Sequence, residues 1–225
     1  MNRFLRNTLV GAAVAIALGS TEASATQIKL GFGPDGGITT LATCVDSLCS
    51  YSGALGPIFT SNNITGTGSP PNSPRDLLSS TTLNVSTTGA GSVTIWVTAS
   101  NYTSPVGTLP FLSSFTSNLL PAGWSVQETT FLCTGNSNFC TPLSGAVQLA
   151  DKTFTAIGTM QQQINKATGA GPYSVGERYI LTATTANTAL STQDISVPVP
   201  EPASLLLLGS GLLGFGYLRR RKRAI

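Results

Sequence analysis

The chain has 225 residues, of which 41% are hydrophobic and only 9% are charged, and it contains no histidine. This length predicts one folded domain with additional segments, large enough to bury a hydrophobic core. The lack of histidine excludes Ser-His and Cys-His catalytic pairs and removes the commonest zinc ligand.

The net charge of +3 comes from the two ends of the chain. Between residues 26 and 199 there are five basic and seven acidic residues, so the central part is mildly acidic. No basic patch with interleaved aromatic residues remains there. Nucleic-acid binding is therefore not expected.

Residues 1–25 have the features of a secretory signal peptide. Two arginines precede an apolar run at residues 9–18, and Ala23 and Ala25 form a small-x-small site. The run is too short for the roughly 20 residues that span a bilayer. We expect export through the Sec translocon and cleavage by signal peptidase, so that the mature chain begins at Thr26 in an oxidising compartment.

Residues 26–190 have the composition of an extracellular β domain. Serine and threonine make up 50 of the 174 residues from 26 to 199, and β-branched residues suit half-exposed strands. Alternation of apolar and polar residues, which puts the apolar ones on one face, predicts strands at residues 26–32, 125–133, 147–150, 153–157 and 173–185. Residues 160–167 fit either a short helix or a strand.

The best hairpin signal joins a run at residues 83–85 to a run at residues 93–99. Residues 60–74, rich in Gly and Pro, are predicted as a long loop, and residues 191–199 as a linker. The fold class is all-β: a single antiparallel β-sandwich over residues 26–190, with a jelly roll as one form and the strand order left open.

The last part of the chain contains three successive features. A Pro-rich stretch at residues 197–202 favours extended backbone. An apolar run follows at residues 203–218, about 24 Å long as a helix and so just able to cross a membrane. Five cations then predict that the tail stays on the cytoplasmic side: Arg219, Arg220, Arg221, Lys222 and Arg223.

These features together resemble the PEP-CTERM sorting signal of Gram-negative bacteria, here at residues 200–223. The resemblance implies a substrate of exosortase, a membrane-embedded cysteine peptidase. Pro200, Glu201 and Pro202 would be its recognition site, 203–218 the transmembrane helix and 219–223 the retention cluster. The protein would pass through the inner membrane to the cell surface or extracellular matrix, where exopolysaccharide is the expected partner. The alternative is a permanent single-pass anchor.

The four cysteines form two close pairs, Cys44 with Cys49 and Cys133 with Cys140. In an exported protein two local disulfides are the simplest interpretation, and the two other connectivities stay open. Such short bridges would pin loops more than they hold the core.

No residue pattern predicts a catalytic site, a metal site or a cofactor. The Gly-x-Gly-x-x-Gly string at residues 31–36 is expected to be a turn, because no βαβ unit surrounds it. Glu177 is the carboxyl in the most suggestive position, on the same strand face as Val175 and Tyr179. Trp96 and Trp124 are candidate glycan contacts, with packing beneath a loop or the second sheet as the alternative for Trp96.

The sequence therefore predicts a non-enzymatic surface or matrix protein sorted by exosortase. A carbohydrate-binding module and a secreted hydrolase are the two other hypotheses.

Overall fold

The protein is described by a computed structural model that covers residues 27–45, 48–68 and 76–198. These residues form twelve strands and one short 3-10 helix at Pro142–Ser144. The strands are β1 (Gln27–Phe32), β2 (Thr39–Cys44), β3 (Leu48–Ala54), β4 (Phe59–Gly68), β5 (Asp76–Thr87), β6 (Gly91–Tyr102), β7 (Thr108–Leu119), β8 (Ser125–Cys133), β9 (Val147–Phe154), β10 (Gly158–Ala167), β11 (Tyr173–Ala183) and β12 (Asn187–Ser196).

The strands form two six-stranded antiparallel sheets. Sheet A has the order β2-β1-β6-β11-β8-β9, and sheet B has the order β10-β7-β12-β5-β4-β3. Within them β5-β12-β7-β10 and β6-β11-β8-β9 are the two sheets of an eight-stranded jelly roll. Strands β1 and β2 widen sheet A, and β3 and β4 widen sheet B. The predicted β-sandwich is confirmed, and its topology is the jelly roll.

The core lies between the sheets because alternate residues of each strand point inward. On β6 these are Val93, Ile95, Val97 and Ala99, and all four are buried. Each large apolar side chain that is fully buried contributes about 1.5–3 kcal/mol relative to exposure. A second, smaller cluster of Trp96, Phe131, Cys133 and Cys140 lies on the outer face of sheet A, against Ile38, Phe139 and Ala146.

The predicted hairpin at residues 83–99 is wrong. Both strands exist, but β5 belongs to sheet B and β6 to sheet A. The short connection at residues 88–90 crosses from one sheet to the other, where the Thr88 backbone N–H donates to the Ile58 carbonyl at 3.1 Å. Alternation identifies the buried face of a strand but not its hydrogen-bonded neighbour, and here two inward faces oppose each other across the core.

The predicted loop at residues 60–74 is also corrected, because β4 runs through its first part. Gly66 on this strand faces sheet A, and a Cβ there would lie 2.7 Å from Val97 Cγ1 and 3.2 Å from Ile28 Cγ2. The glycine therefore allows a close approach of the two sheets. In sequence a strand glycine looks the same as a turn glycine, so the Gly-rich composition of residues 60–74 suggested a loop.

The predicted linker at residues 191–199 is wrong up to residue 197. Strand β12 continues to Ser196 between β5 and β7, and Ser191, Gln193, Ile195 and Val197 are buried. Local pattern did not reveal the strand because two successive inward positions, Ser191 and Gln193, are polar. The domain therefore ends near residue 197 rather than at residue 190.

The remaining strand predictions differ in detail. Strand β8 has the predicted bounds. The two short runs at residues 147–157 form the single strand β9, which ends at Phe154, and residues 160–167 belong to a strand, β10.

The predicted signal peptide at residues 1–25 and transmembrane helix at residues 203–218 lie outside the described residues. Among residues 27–45, 48–68 and 76–198, no helix has the length and apolarity needed to cross a membrane.

Candidate functional site

The sorting residues all lie outside the described part of the chain. These are Ala23, Ala25 and Thr26 at one end, and Pro200, Glu201, Pro202, Arg219, Arg220, Arg221, Lys222 and Arg223 at the other. The structure does describe the approach to the Pro-Glu-Pro tripeptide. Val197 is still buried against the core, so the tripeptide begins only three residues beyond a packed position.

The cysteines pair as the simplest interpretation predicts. Cys44 bonds Cys49 with a Cα–Cα distance of 5.5 Å, and Cys133 bonds Cys140 at 5.6 Å. The first bridge joins the end of β2 in sheet A to β3 in sheet B, so it does more than pin a loop. The second ties residues 134–146 to the outer face of sheet A.

The Gly-x-Gly-x-x-Gly string ends β1 and makes the expected turn. Gly33 and Gly36 have φ of +113° and +85°, and the Gly37 backbone N–H donates to the Pro34 carbonyl at 2.9 Å. Asp35, at the tip, accepts a hydrogen bond from the Leu143 backbone N–H at 2.9 Å. The turn thus anchors the segment that covers sheet A.

Neither tryptophan is placed to stack on a sugar, which corrects the candidate glycan contacts. Trp96 and Trp124 are each 1% exposed. Trp96 lies beneath the segment 134–146, and its indole N–H donates to the Gly33 carbonyl at 2.9 Å. Trp124 packs in the main core with its indole N–H directed at Thr185 Oγ1, 3.4 Å away.

Arg178 lies over the two aromatic rings beneath that segment. Its guanidinium carbon is 5.7 Å from the Trp96 ring centroid and 5.4 Å from that of Phe131, distances at which a cation is attracted to a ring face. It donates to Thr129 Oγ1 at 2.9 Å, and Thr129 in turn donates to Asp151 at 2.6 Å.

Burial lowers the pKa of Arg178, while the carboxylates of Asp151 and Asp35 oppose that change. No local pattern in the sequence predicted this cluster. Alternation puts Arg178 on the outer face of β11, and the register Arg178↔Trp96 then brings the two together. The arrangement stabilises a covered face of sheet A, where Arg178 is half-buried.

A second set of polar groups lies inside the sandwich. Glu177 on β11 and Glu128 on β8 are both 0% exposed, on the inward face of sheet A. Ser80 of sheet B donates to Glu177 Oε2 and makes a further hydrogen bond with the Tyr179 hydroxyl. Ser191 and Gln193 of β12 are buried in the facing sheet.

Burial favours the neutral form of the two glutamates in this interior layer. Burial raises the pKa of Glu128 to about 8, against weaker opposing effects of the Ser191 side chain and the Thr116 backbone. Burial also raises the pKa of Glu177 well above its ordinary value, opposed by the Ser80 hydrogen bond and reinforced by Asp194 and Glu128. The pKa of Asp194 is raised to about 7, first by burial and then by Asp76.

The layer is only partly satisfied by hydrogen bonds. Within the described residues, buried atoms without a hydrogen-bond partner include both Glu128 oxygens, Glu177 Oε1, Ser117 Oγ, Ser191 Oγ and Gln193 Oε1. Ser191 lies near the Glu128 carboxyl, but the two do not form a hydrogen bond of standard geometry. Unpaired buried carboxyl oxygens favour protonation, because a charge there would have neither solvent nor a cation.

Glu177 has the inward position that alternation predicted, and Glu128 was overlooked although the same rule applies to Val126, Glu128 and Thr130. Two neighbouring carboxyls could support glycosidase chemistry only across a sugar site. Both carboxyls are fully enclosed by the two sheets. Their protonation therefore affects the stability of the folded domain. In the part of the chain that the structure describes, no group of three or more Cys, Asp or Glu residues could hold a metal ion.

A family model described as the PEP-CTERM protein-sorting motif matches residues 198–222. The jelly-roll sandwich therefore precedes a sorting signal directly. The chain carries a PEP-CTERM sorting motif in this segment, and the motif implies export to the cell surface with processing by exosortase. No curated protein sequence matches the chain.

Solved structures show only distant similarity. The chain is similar to the structure of the infectious bursal disease virus Gx strain, with 14% identity, a TM-score of 0.34 and coverage of 73% of this chain and 36% of the viral one. It spans about a third of that viral chain.

The similarity to two bacterial structures extends over almost the whole length of their chains. The K1 cleaved adhesin domain of Lys-gingipain from Porphyromonas gingivalis W83 has 8% identity and a TM-score of 0.35, with 68% of this chain and 91% of that one covered. The family 11 carbohydrate-binding module from Clostridium thermocellum has 12% identity and a TM-score of 0.31, with 77% and 96% covered. Similarities this weak carry no argument about function.

Proposed function

We propose that the chain is a non-enzymatic surface or extracellular-matrix protein of a Gram-negative bacterium, associated with exopolysaccharide. It is exported by Sec, held in the inner membrane by residues 203–218, and released by exosortase cleavage near Pro200, Glu201 and Pro202. The observation that carries this proposal is the PEP-CTERM motif at residues 198–222.

The domain boundary supports release of an intact sandwich. Strand β12 is a central strand of sheet B, and it ends at Ser196. A cut near the tripeptide therefore removes none of the described strands. The two disulfides also fit an oxidising compartment.

The interior position of Glu128 and Glu177 supports a non-enzymatic role. General acid–base catalysis needs a group within hydrogen-bond reach of a substrate, and a sugar cannot reach either carboxyl while the sheets are closed. The two carboxyls therefore give the hydrolase hypothesis no support, and we do not propose it.

The test is the intact mass of the protein recovered from its native host, for the wild type, Glu201→Ala and the control Ser204→Ala. We expect the wild type and the control to begin at Thr26 and end near Pro200, and Glu201→Ala to retain the tail. A mature wild-type chain that still carries residues 219–223 would contradict the proposal and make the protein a permanent anchor.

The association with exopolysaccharide needs a second measurement. The processed protein should co-sediment with exopolysaccharide from the same host and stay in solution when the polymer is digested. Equal sedimentation with and without polymer would contradict this part of the proposal and leave the sorting step untouched.

A carbohydrate-binding role is a second candidate, on a different surface from the tryptophans. The outer face of sheet B carries amides and hydroxyls that bond from strand to strand. Asn62 Nδ2 donates to Asn84 Oδ1 at 2.9 Å and to Ser86 Oγ at 2.7 Å, and Ser86 pairs with Thr188 Oγ1 at 2.8 Å. Loss of glycan binding in Asn62→Ala, but not in the buried Ser117→Ala, would support this surface.

A further inference from the structure

One end of the sandwich, here called the exit end, is where β12 finishes. Ser196 is paired with Asp76 at the start of β5 and with Leu112 near the start of β7. In sheet A the end of β6 lies at this same end, because the Tyr102 hydroxyl donates to the Leu77 carbonyl across the core. The chain thus leaves the domain at the exit end.

Large apolar side chains are exposed at the exit end, among them Val45, Leu48 and Val106. Val45, directly after β2, is 74% exposed, and Leu48, at the start of β3, is 56% exposed. Val106, in the connection from β6 to β7, is 51% exposed. That connection is held in place, because the Gly107 carbonyl accepts from the Thr168 backbone N–H at 3.0 Å.

The order of strands places these side chains on both sides of the exit point. Val45 adjoins β2, an edge strand of sheet A. Leu48 adjoins β3, the edge strand of sheet B that is three positions away from β12. Val106 leads into β7, which is directly next to β12. Lys166 and Asp76, which have opposite charges, also lie at this end.

The chain beyond the domain is too short to let the exit end move far from a membrane. Five peptide steps separate Pro198 from Ala203, the first residue of the apolar run. Fully extended, they reach at most about 18 Å. The headgroup region on one side of a bilayer takes up roughly 6 Å of that distance.

We propose that the exit end docks on the lipid surface before processing, with Val45, Leu48 and Val106 at the boundary between headgroups and acyl chains. This inference rests on the proposed function, because residues 203–218 must be inserted in the membrane. Docking would hold the Pro-Glu-Pro tripeptide at the membrane surface, within reach of a membrane-embedded peptidase.

The experiment uses the full chain reconstituted into phosphatidylcholine vesicles whose acyl chains are brominated close to the headgroup. Bromine quenches tryptophan at short range. The test variant is Val106→Trp, and the control is Ile157→Trp, which is 68% exposed at the opposite end, between β9 and β10. Trp96 and Trp124 are buried in every variant and give a common background.

We expect Val106→Trp to lose fluorescence and shift to shorter wavelength in brominated vesicles, beyond the change in the wild type. For Ile157→Trp, the fluorescence change caused by brominated vesicles should equal that of the wild type. Leu48→Trp repeats the test at the other apolar site if Val106→Trp does not fold.

Vesicle flotation separates the two ways in which the inference could fail. Protein that floats with the vesicles without added quenching at residues 106 and 48 overturns docking but leaves the anchor in place. Protein that does not float at all overturns the anchor and docking together.

Discussion

Ser80 of sheet B donates its hydroxyl proton to the carboxyl of Glu177 in sheet A, so the two sheets share a hydrogen bond at the centre of the core. The same hydroxyl oxygen is bonded to the Tyr179 hydroxyl. Most β-sandwich cores are joined by apolar packing. Here a hydroxyl between two titratable groups links the sheets as well.

Ser80→Ala should therefore destabilise the domain. The change leaves Glu177 and Tyr179 without this partner, and an unsatisfied buried group costs about 1–3 kcal/mol. The matched control is Ser117→Ala, since Ser117 is equally buried but its hydroxyl has no hydrogen-bond partner within the described residues. Urea unfolding should show a lower free energy of unfolding for Ser80→Ala and an unchanged one for Ser117→Ala. Equal losses would contradict the role assigned to Ser80.

Stability should fall as pH rises from about 5 to 9. The pKa of Glu128 is raised from 4.5 to about 8 in the folded state, so the folded chain keeps a proton that the unfolded chain has lost. The stabilisation is complete below the unfolded pKa and is lost as pH rises through the folded pKa, with an upper limit on the order of 5 kcal/mol.

Glu128→Gln keeps the shape of the neutral carboxyl and should reduce this dependence to the part that comes from Glu177 and Asp194. The free energy of unfolding, measured in urea at several pH values, checks both statements. The same pH dependence in the wild type and in Glu128→Gln would contradict a raised pKa of Glu128 in the folded state.

Trp96→Ala should act on stability rather than on glycan binding. The side chain fills the small cluster beneath residues 134–146, and truncation of a buried tryptophan costs about 3–5 kcal/mol. Thermal unfolding and glycan binding should be measured on the same samples. A fully stable Trp96→Ala domain with lost glycan binding would reinstate Trp96 as a sugar contact.

The two disulfides should differ in their resistance to reduction. Cys133 and Cys140 are both buried under the segment that covers sheet A, whereas Cys44 is partly exposed. Mild reductant followed by maleimide labelling and mass analysis should modify Cys44 and Cys49 first. Early labelling of Cys133 and Cys140 would mean that the covering segment opens readily.

Removal of either bridge by paired Cys→Ser substitution should cost about 2 kcal/mol, the chain-entropy value for loops this short. Loss of the Cys44–Cys49 bridge should also weaken the attachment of β2 to β3, because that bridge joins the two sheets. Faster hydrogen exchange confined to these strands is the expected sign.

Alternation predicted β6, whose inward residues are apolar, and β8 was found with its bounds although Glu128 and Thr130 point inward. It failed for β12, because Ser191 and Gln193 point inward there, and for β4, whose Gly66 resembles a turn residue. In both strands the inward residue is suited to a neighbour in the opposite sheet. That neighbour is far away in sequence, so no local pattern can reveal it.

The sequence by itself determined the features that act locally along the chain. These are the charged and apolar segments at the two ends, the sorting motif, the close cysteine pairs and the in-out alternation of the apolar strands. Each depends on residues within a few positions of one another.

Only the tertiary structure decided which strands are neighbours, that Trp96 is covered, and that burial raises the pKa of Glu128 and Glu177. Burial and pKa depend on groups from distant parts of the chain, since desolvation is set by everything that surrounds a side chain. The segment 134–146 covers Trp96, and strands β5, β7 and β12 enclose the two glutamates. The outward or inward direction of these residues could be inferred from the pattern, but what lies against them could not.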